Sequence, residues 1–600
     1  MAREQPITIS LRYSDDGNAH LSASELCDAW PEIRRACEER TGEVVNTSGT
    51  SLTLPWWAFL DARESIRFVF ACYPKEIAFI ADPVAEKFLR ESRARESRYK
   101  EAAAPRPLAV EEVASRLASA GFARPLKPYQ ARNVARLAPL PAGATFSVPG
   151  AGKTTEALAF FFLKRSAGSR LLVVAPKNAF AAWEEQLAVC APSLAGRFKR
   201  LKGGIVERQL DERPEMALIS YELLPRVRDS IARLLAQDAT FLFLDESHRM
   251  KRGLTGVIGR AVLSLAHLPQ AKLVMSGTPA PNEVGDLVPQ FRFLYPEVRV
   301  DDSTVVERIK PFYVRTTQDD LGLPRIQAAL IRVPMSEAQD KLYRLLASEE
   351  SRLAERALRS RDRMALRSLG RSVMKLTQAA SNPALLVSSN TSVPEVLREA
   401  LAEGDSPKMD YVCRRARALA KEGQKVIIWS AFVENVELLA TRLEDIGADF
   451  IHGGVEAGSE EDEETREAKI ARFKTDSEAL ALVANPAACA EGISLHTVCR
   501  HAIYLDRTYN AAHFVQSQYR IHRLGMDMNC PTLIEILFSP GTVDESVNLR
   551  LDQKVSRMGQ VLNDPSINVE PVLLDLEDTG MDEEDLQDFW RHLQEVTSKR

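Results

Sequence analysis

The sequence predicts an α/β protein with two lobes, each built on a parallel sheet, a helical segment between them and a separate α+β module in front. Three observations lead to this prediction. Short apolar runs alternate with helical patterns over residues 107–300, residues 335–400 are helical and basic without strand signals, and a second series of apolar runs follows. Apolar runs rich in β-branched residues and bounded by turn residues are typical of buried parallel strands.

The apolar runs define the two lobes. The first series reads LLVVAP, MALISY, FLFLDE and KLVMSGTP, and the second reads KVIIWS, ADFIHGG, ALALVAN, HAIYLD and TLIEILFS. A chain of 600 residues exceeds what one hydrophobic core usually serves. We therefore predict an N-terminal accessory module (1–105), a first lobe (106–325), a helical protrusion or linker (326–404), a second lobe (405–560) and an acidic C-terminal tail (561–600).

The first hundred residues mix strand and helix signals. Ile7–Leu11 and Ile66–Cys72 look strand-like, whereas Ser22–Glu39 and Val84–Arg95 look helical. A stretch rich in Arg, Glu and Ala then ends in two prolines, which is typical of a charged helix or linker at the end of a module. These signals predict a module separate from the lobes.

Composition excludes several classes of protein. A net charge of −5 excludes a uniformly basic nucleic-acid binder, although a local basic stripe would be enough for contact. The eight cysteines contain no C-x-x-C pair, which argues against a zinc ribbon or a disulfide scaffold. The early charges are not followed by an apolar segment, and no run of eighteen apolar residues occurs. We therefore expect a soluble cytoplasmic protein without a membrane span.

The segment TFSVPGAGKTTEAL predicts a phosphate-binding loop. Glycine lets backbone N–H groups approach phosphate oxygens, and the following helix N-terminus favours anions. Lys153 can reach the β- and γ-phosphates, and the Thr154 hydroxyl can ligate Mg²⁺. The full pattern has glycine at position 147, where this chain has Ser147. The predicted nucleotide-binding residues of the loop are Gly150, Ala151, Gly152, Lys153, Thr154 and Thr155.

A pair of acids follows an apolar strand about ninety residues later. FLFLDESH places Asp245 and Glu246 at the predicted C-terminal end of that strand. An acid at this position can hold Mg²⁺, and its neighbour can orient or activate the attacking water. Together with the loop, this pair predicts hydrolysis of a nucleoside triphosphate, with Asp245 and Thr154 as metal ligands and Glu246 as a catalytic residue.

Further segments resemble the ordered motifs of one ATPase family. In the first half of the chain, PLKPYQARNV resembles a Q-motif, LLVVAPKNAFAAWEEQL resembles motif Ia, and DESHRMK resembles motif II. LVMSGTPAPNEVGDLVPQFRFLYP resembles motif III. In the second half, EGISLHTVCRHAIYLD resembles motif V and QSQYRIHRLG resembles motif VI. In this order, over residues 125–560, they resemble the Swi/Snf-type ATPases of helicase superfamily two. The resemblance implies two RecA-like P-loop lobes with ATP and Mg²⁺ between them, and ATP-driven translocation on double-stranded DNA.

The resemblance also assigns roles to single residues. Gln130 would recognise adenine through its amide, and Gly492 is retained in motif V. In motif VI, the helix-compatible spacing puts Gln516, Arg520 and Arg523 on one face. Two arginines presented by the second lobe can stabilise charge on the γ-phosphate, so hydrolysis would require closure of the lobes. We predict Gln516, Arg520 and Arg523 as catalytic residues alongside Glu246.

The residues that would contact DNA are less specific. Between Arg352 and Lys375 the chain carries seven Arg and one Lys against two acids, at spacings compatible with one basic helix face. A solvated charged face is the alternative. Trp56 and Trp57 could stack on bases, or belong to a core or a partner surface. The predicted DNA contacts are Lys177, Arg356, Arg359, Arg363 and Arg367.

The sequence leaves two other functions open. A strand-separating DNA or RNA helicase would use the same ATPase, as would an ATP-gated scaffold subunit of a multi-protein complex. The N-terminal module and the acidic tail are candidate binding sites for a protein partner, and the tail could also compete with DNA. His248 in DESH and the hydroxyls of Ser276 and Thr278 in SGTP could couple the ATP site to DNA, or serve a structural role.

Overall fold

The computed structural model describes residues 6–14, 17–41, 45–74, 77–102, 106–360, 363–387, 393–455, 465–489, 493–527, 530–561 and 591–592. The chain forms two compact units, Met1–Ala280 with Val284–Thr316 and Pro281–Glu283 with Thr317–Arg600. The acidic tail predicted at the C-terminus lies almost entirely outside the described residues. Within those ranges, no helix is both long and apolar enough to cross a membrane.

The N-terminal module forms a mixed five-stranded sheet. Its strands are β1 (Ile7–Tyr13), β2 (Asn18–Ala23), β3 (Val45–Ser48), β4 (Ser51–Pro55) and β5 (Ile77–Ala81), and its helices are α1 (Ala29–Thr41), α2 (Trp56–Cys72) and α3 (Pro83–Ala102). The sheet order is β3-β4-β2-β1-β5, in which only the β1–β5 pair is parallel. Trp56 and Trp57, with 1% and 8% of their surface exposed, belong to the core of this module.

Two sequence predictions for this module are wrong. Ile66–Cys72 is the end of α2 and not a strand, because Ile66 and Val69, three residues apart, are buried while Phe68 is 72% exposed. That spacing buries one helix face. The predicted helix at Ser22–Glu39 begins only at Ala29, since Ser22 still belongs to β2, where it pairs with Ser51 of β4.

The module packs against the first lobe through buried polar and aromatic contacts. The Tyr13 hydroxyl hydrogen-bonds His267 Nε2 at 2.9 Å, and the Trp56 and Phe88 rings contact the same imidazole. Burial, with a smaller contribution from Arg95 and Lys272, lowers the pKa of His267 well below its ordinary value. Arg95 of α3 donates to the His267 carbonyl oxygen and lies 3.4 Å from Glu297. The module is therefore held in one orientation on this lobe.

The first lobe is a seven-stranded parallel sheet flanked by helices. Its strands are β6 (Ala142–Thr145), β7 (Arg170–Ala175), β8 (Phe198–Arg200), β9 (Met216–Ser220), β10 (Thr240–Asp245), β11 (Ala271–Met275) and β12 (Tyr313–Val314). The helices are α4 (Val110–Ser119), α5 (Pro128–Leu137), α6 (Lys153–Lys164), α7 (Phe180–Cys190), α8 (Val206–Asp211), α9 (Arg228–Gln237), α10 (Val257–Leu265), α11 (Leu287–Leu294) and α12 (Val305–Ile309). The strand order β12-β6-β11-β10-β7-β9-β8 places β6 and β10 on either side of β11.

The second unit contains a six-stranded sheet in which every pair is again parallel. Its strands are β13 (Gln327–Arg332), β14 (Lys425–Trp429), β15 (Asp449–Ile451), β16 (Ala481–Ala484), β17 (Cys499–Tyr504) and β18 (Leu533–Phe538), in the order β13-β18-β17-β14-β16-β15. The helices are α13 (Glu337–Ser360), α14 (Arg363–Ser381), α15 (Pro394–Ala402), α16 (Pro407–Lys421), α17 (Val433–Arg442), α18 (Arg466–Thr475), α19 (Pro486–Cys489), α20 (Ala511–Gln518) and α21 (Val543–Val561). The predicted class, two RecA-like parallel-sheet lobes with an N-terminal α+β module, is confirmed.

A buried carboxylate joins the helical segment to the sheet of the second unit. Asp506, which follows β17, accepts hydrogen bonds from the hydroxyls of Ser381 (2.7 Å) and Ser430 (2.8 Å), and from the Ala431 N–H (2.7 Å). Ser381 is the last residue of α14. The end of this helix is therefore fixed to the strands that follow it in the chain.

Candidate active site

The loop between β6 and α6 has the backbone of a phosphate cradle. Gly150 and Gly152 have φ values of +86° and +87°, in the left-handed region where side chains are disfavoured. Gly152 is the N-cap of α6, so the first N–H groups of a twelve-residue helix face the loop. The Lys153 ammonium donates to the carbonyl oxygen of Ser147 at 3.0 Å. Backbone donors and a lysine thus converge where an anion would bind.

Gln130 contacts this loop directly. It is 3% exposed, and its amide oxygen accepts the Lys127 N–H at 3.1 Å while its amide nitrogen donates to the Ala151 carbonyl oxygen at 3.1 Å. A Cβ atom at Gly152 would collide with the same amide. Because an amide has two donors and two acceptor positions, one of each remains beyond these two bonds. The contact of Gln130 with adenine stays a prediction, and its support of the loop is an additional role.

Ser147 replaces glycine without disturbing the loop. Its side chain is fully buried, and its hydroxyl accepts the Thr316 N–H at 3.0 Å and lies 3.1 Å from the Thr145 hydroxyl. The hydroxyl thereby ties the loop to the residues that follow β12. A side chain is tolerated at this position because it points into the lobe and finds polar partners.

Glu156 lies beneath the loop and was not predicted from the sequence. It is fully buried, and its carboxyl group contacts Asn133 Nδ2 and Thr145 Oγ1, both at 2.8 Å. Burial raises its pKa from 4.5 to about 7. The carboxyl group thus accepts from both neighbours, the Asn133 amide and the Thr145 hydroxyl. An acid inside the apolar run EALAFFFL is the signal that could have revealed it.

Asp245, the predicted Mg²⁺ ligand, and Glu246, predicted to orient the attacking water, lie at the C-terminal end of β10. Asp245 Oδ2 accepts the indole N–H of Trp183 at 2.8 Å, and Oδ1 accepts the Glu246 N–H at 3.0 Å. Glu246 has a φ of +50°, which is uncommon for a residue with a side chain and costs on the order of 1–3 kcal/mol. Such strain is concentrated at functional sites, and here it turns the chain sharply after the strand.

His248 connects these acids to the SGTP segment. Its Nδ1 lies 3.4 Å from Glu246 Oε2 and 3.1 Å from the Ser276 hydroxyl, which also accepts the Thr278 N–H at 3.1 Å. The two segments are therefore in contact at the end of adjacent strands β10 and β11. This contact is a structural role for His248 and Ser276, and their coupling of the ATP site to DNA stays a prediction.

The donors around this edge suit Mg²⁺. In triphosphate sites Mg²⁺ is usually bound by oxygen atoms from one or two carboxylates and from the nucleotide phosphates. Asp245 supplies the carboxylate, and Thr154, in the first turn of α6, supplies a hydroxyl. Throughout the described part of the chain, no three His, Cys, Asp or Glu side chains gather as a metal cluster. Thr154 and Asp245 would hold the ion together with the phosphates it arrives with.

In the second unit, the structure places Gln516 and Arg520 together. Gln516 is 1% exposed, and within the described residues its amide nitrogen has no hydrogen-bond partner. Arg520 donates through Nε to the Gln516 carbonyl oxygen at 3.0 Å and through Nη1 to the Ile493 carbonyl oxygen at 3.1 Å. Motif VI thus supports the backbone next to motif V, whose Gly492 lies outside the described residues.

The prediction that one helix carries Gln516, Arg520 and Arg523 is wrong. Helix α20 ends at Gln518, and turns follow it. The Arg520 carbonyl oxygen accepts the N–H of Leu495 at 2.8 Å, a bond to another part of the chain that takes the place of a continued helix. Such tertiary bonds override helix-compatible spacing. The roles of Arg520 and Arg523 at the γ-phosphate stay predictions.

The basic run does not form one helix face either. Arg356 and Arg359 belong to α13, and Arg363 and Arg367 to α14, but the side chains of these four residues lie outside the described part. The two helices pack on each other, and Lys375 at the end of the run pairs with Glu350 at 3.0 Å. The basic run is therefore carried by two helices, α13 and α14.

Lys177 lies apart from this run, exposed in the short turn Lys177–Ala179 that follows β7. The turn leads directly into α7, whose first residue is Phe180. An exposed lysine at a strand end is accessible to a phosphate backbone. The contact of Lys177 with DNA stays a prediction.

Two families of known domains match the chain. The SNF2-related domain matches residues 142–305, and the helicase conserved C-terminal domain matches residues 407–525. The first match begins at β6 and includes the loop, Trp183 and the two acids, and the second includes Gln516, Arg520 and Arg523. The order of the two domains is that of the two parallel sheets.

Individual relatives are distant and longer. The putative ATP-dependent helicase/translocase YwqA of Bacillus subtilis is 24% identical over 469 residues, 72% of this chain and 47% of that protein. The ISWI chromatin-remodeling complex ATPase ISW2 of Saccharomyces cerevisiae is 25% identical over 451 residues, 68% of this chain and 38% of that protein. The chain thus spans less than half the length of these relatives.

A solved structure, the Sulfolobus solfataricus SWI2/SNF2 ATPase core in complex with dsDNA, is 21% identical and covers 78% of this chain and 97% of that chain. Its TM-score is 0.32. The strand order of the two parallel sheets defines the fold.

Proposed function

We propose that the chain is an ATP-dependent translocase on double-stranded DNA, because residues 142–305 match the SNF2-related domain and residues 407–525 match the helicase conserved C-terminal domain. The observation that supports this most directly is the arrangement on the first sheet. The phosphate loop after β6 and the acids after β10 leave the same edge, one strand apart. In parallel sheets, ligands bind at the carboxyl ends of the strands.

The proposed roles follow from the chemistry of these residues. Lys153 neutralises the β- and γ-phosphates, and Thr154 and Asp245 hold Mg²⁺, which supplies charge neutralisation when bound. Glu246 orients the attacking water, and its strained backbone fixes where the carboxylate points. Gln516, Arg520 and Arg523 are proposed to complete the site from the second lobe, so that hydrolysis is coupled to lobe closure.

The proposed nucleic acid is duplex DNA, because the ordered motifs over residues 125–560 resemble those of the Swi/Snf-type ATPases. In this chain the proposed contacts are Lys177 and the arginines of α13 and α14, whose positive charge would release counterions from the backbone. Contacts of this kind are independent of sequence and suit a motor that moves along DNA.

ATP turnover measured without nucleic acid and with double-stranded DNA, single-stranded DNA or RNA tests the proposal. We expect the largest stimulation with double-stranded DNA, and turnover at background level for Lys153→Ala under every condition. Lys199→Ala is the matched control, because Lys199 is a half-exposed lysine of the same lobe, paired with Glu212 and outside the loop. Turnover of Lys153→Ala equal to that of Lys199→Ala would show that the site is misplaced.

Two further measurements separate the alternative functions. Triplex displacement without strand displacement is expected for a translocase, whereas separation of the duplex strands would identify a helicase. A nucleotide-binding protein whose turnover is not stimulated by any nucleic acid would instead act as an ATP-gated scaffold. A pull-down with the N-terminal module or the acidic tail removed would then locate its protein partner.

A further inference from the structure

Trp183 of α7 reaches the carboxylate that we assign to the metal. The side chain is fully buried, and its indole N–H donates to Asp245 Oδ2 at 2.8 Å, although 62 residues separate the two in sequence. Its ring meets that of Phe198 edge-on at 6.1 Å. A buried indole nitrogen is a donor that requires a partner, and here that partner is a site residue.

The hydrogen bond from Trp183 restricts the terminal side-chain torsion of Asp245, which sets the orientation of its carboxylate. The terminal torsion of an aspartate is broad, so its carboxylate plane rotates unless it is held. In Asp245 the Trp183 N–H engages one carboxylate oxygen and the Glu246 N–H engages the other. The Tyr221 hydroxyl, also fully buried, donates to the Asp245 carbonyl oxygen at 2.7 Å and holds the backbone of the same residue.

We propose that Trp183 is a positioning residue of the ATPase site, whose indole N–H fixes the plane of the Asp245 carboxylate for Mg²⁺. This inference rests on the proposed function, since it requires that Asp245 serves a metal-bound nucleotide. A carboxylate with four lone-pair positions keeps acceptor capacity beyond the two bonds described, so the indole orients the ligand without consuming it.

The position of Trp183 also links the metal ligand to the proposed DNA contact. The short turn that contains Lys177 leads into α7 at Phe180, and Trp183 lies in the first turn of that helix. Three residues of α7 separate Phe180 from Trp183, about 4.5 Å of axial rise, so the turn with Lys177 stands next to the first turn of the helix that carries the indole.

Trp183→Phe tests the proposal, because it keeps an aromatic ring and removes the N–H. The readout is the affinity of Mn²⁺ for the protein–ADP complex, measured by electron paramagnetic resonance. Partners that orient a metal ligand contribute about ten- to a hundredfold in metal affinity. We expect a loss of about tenfold or more in Mn²⁺ affinity, with little change in the affinity for metal-free ADP.

Trp429→Phe is the matched control. Trp429 is equally buried, but its indole nitrogen has no hydrogen-bond partner among the residues that the structure describes. The same substitution there loses ring packing without losing an N–H bond, so Mn²⁺ affinity should stay at the wild-type value. An unchanged affinity in Trp183→Phe, or an equal loss in both variants, would overturn the proposal.

A measurement on the unsubstituted chain covers the case in which Trp183→Phe does not fold. The six tryptophans, labelled as 5-fluorotryptophan, give six fluorine resonances that Trp→Phe variants at the other five positions assign. We expect the Trp183 resonance to shift with Mg²⁺ and ADP, and not in Asp245→Asn. A Trp183 resonance whose chemical shift does not change when the metal is added refutes the inference. If the wild-type chain binds no nucleotide at all, the proposed function is refuted as well.

Discussion

Glu156→Gln should change how the stability of the first lobe depends on pH. Glu156 is fully buried beneath the phosphate loop, and its pKa is raised from 4.5 to about 7 by burial. Glutamine has nearly the same shape and carries no charge. Its oxygen can accept from Asn133 and its nitrogen can donate to the Thr145 hydroxyl, so both contacts at 2.8 Å survive the substitution.

The magnitude follows from the two pKa values. Between pH 4.5 and about 7 the native state keeps a proton that the unfolded chain has released, so the free energy of unfolding falls as pH rises through this window. At about 1.4 kcal/mol for each pH unit, the full penalty above pH 7 is roughly 3 kcal/mol. The glutamine variant lacks this penalty, and it should be more stable than the wild type by up to that amount at pH 8 and by almost nothing at pH 4.5.

Hydrogen exchange followed by mass spectrometry is the appropriate assay, because a chain of two compact units does not unfold in a single transition. Peptides from β6 and α6 report on the lobe that contains Glu156, after correction for the intrinsic pH dependence of exchange. Glu111→Gln, an exposed acid in the first turn of α4, is the control for the chemical change. A stability difference for Glu156→Gln that is the same at pH 5 and pH 8, or that favours the wild type at pH 8, would refute the reasoning.

Three other substitutions probe separate parts of the structure. Lys408→Met removes one partner of the buried 2.6 Å pair with Asp544 and should destabilise the second unit by about 3–5 kcal/mol, seen as faster hydrogen exchange in α16, with part of the loss recovered when Asp544→Leu is added. Tyr13→Phe removes the bond to His267 and should cost about 1 kcal/mol, seen as faster hydrogen exchange in β1. Gly152→Ala should cost about 1–2 kcal/mol through its φ of +87° and weaken binding of a fluorescent ATP analogue.

The sheets were predictable because of where their strands lie. Each apolar run identified in the lobes is a strand, and those of the sheet centres, such as β10 and β14, are buried along nearly their whole length. Strands covered on both faces read as continuous apolar runs, which makes them visible without an alignment. The edge strands β8 and β13 were not visible, since β8 has three residues and β13 is mostly exposed.

The two incorrect predictions of a continuous helix in the second unit involve contacts between distant parts of the chain. Helix α20 ends at Gln518, and the Arg520 carbonyl oxygen accepts the Leu495 N–H, while the basic run is carried by two helices, α13 and α14, that pack on each other. Neither effect is encoded in local spacing. The phosphate loop could be predicted from the sequence because the glycines at positions 150 and 152 adopt the positive φ values that its conformation requires.

In the candidate site, too, some side chains could be predicted from the sequence and others could not. Residues proposed to touch the nucleotide, such as Lys153 and Asp245, were found from the sequence because their chemistry requires particular residue types next to particular elements. Trp183 and Glu156 were not, since a tryptophan in an amphipathic helix and an acid inside an apolar run are defined only by what they meet after folding. Trp183 bonds Asp245 across 62 residues of the chain, and Glu156 bonds Asn133 and Thr145 beneath the phosphate loop. A Trp183→Phe variant can therefore keep Lys153 and Asp245 and still disturb the geometry of the site, and we expect that disturbance to appear as a loss of metal affinity.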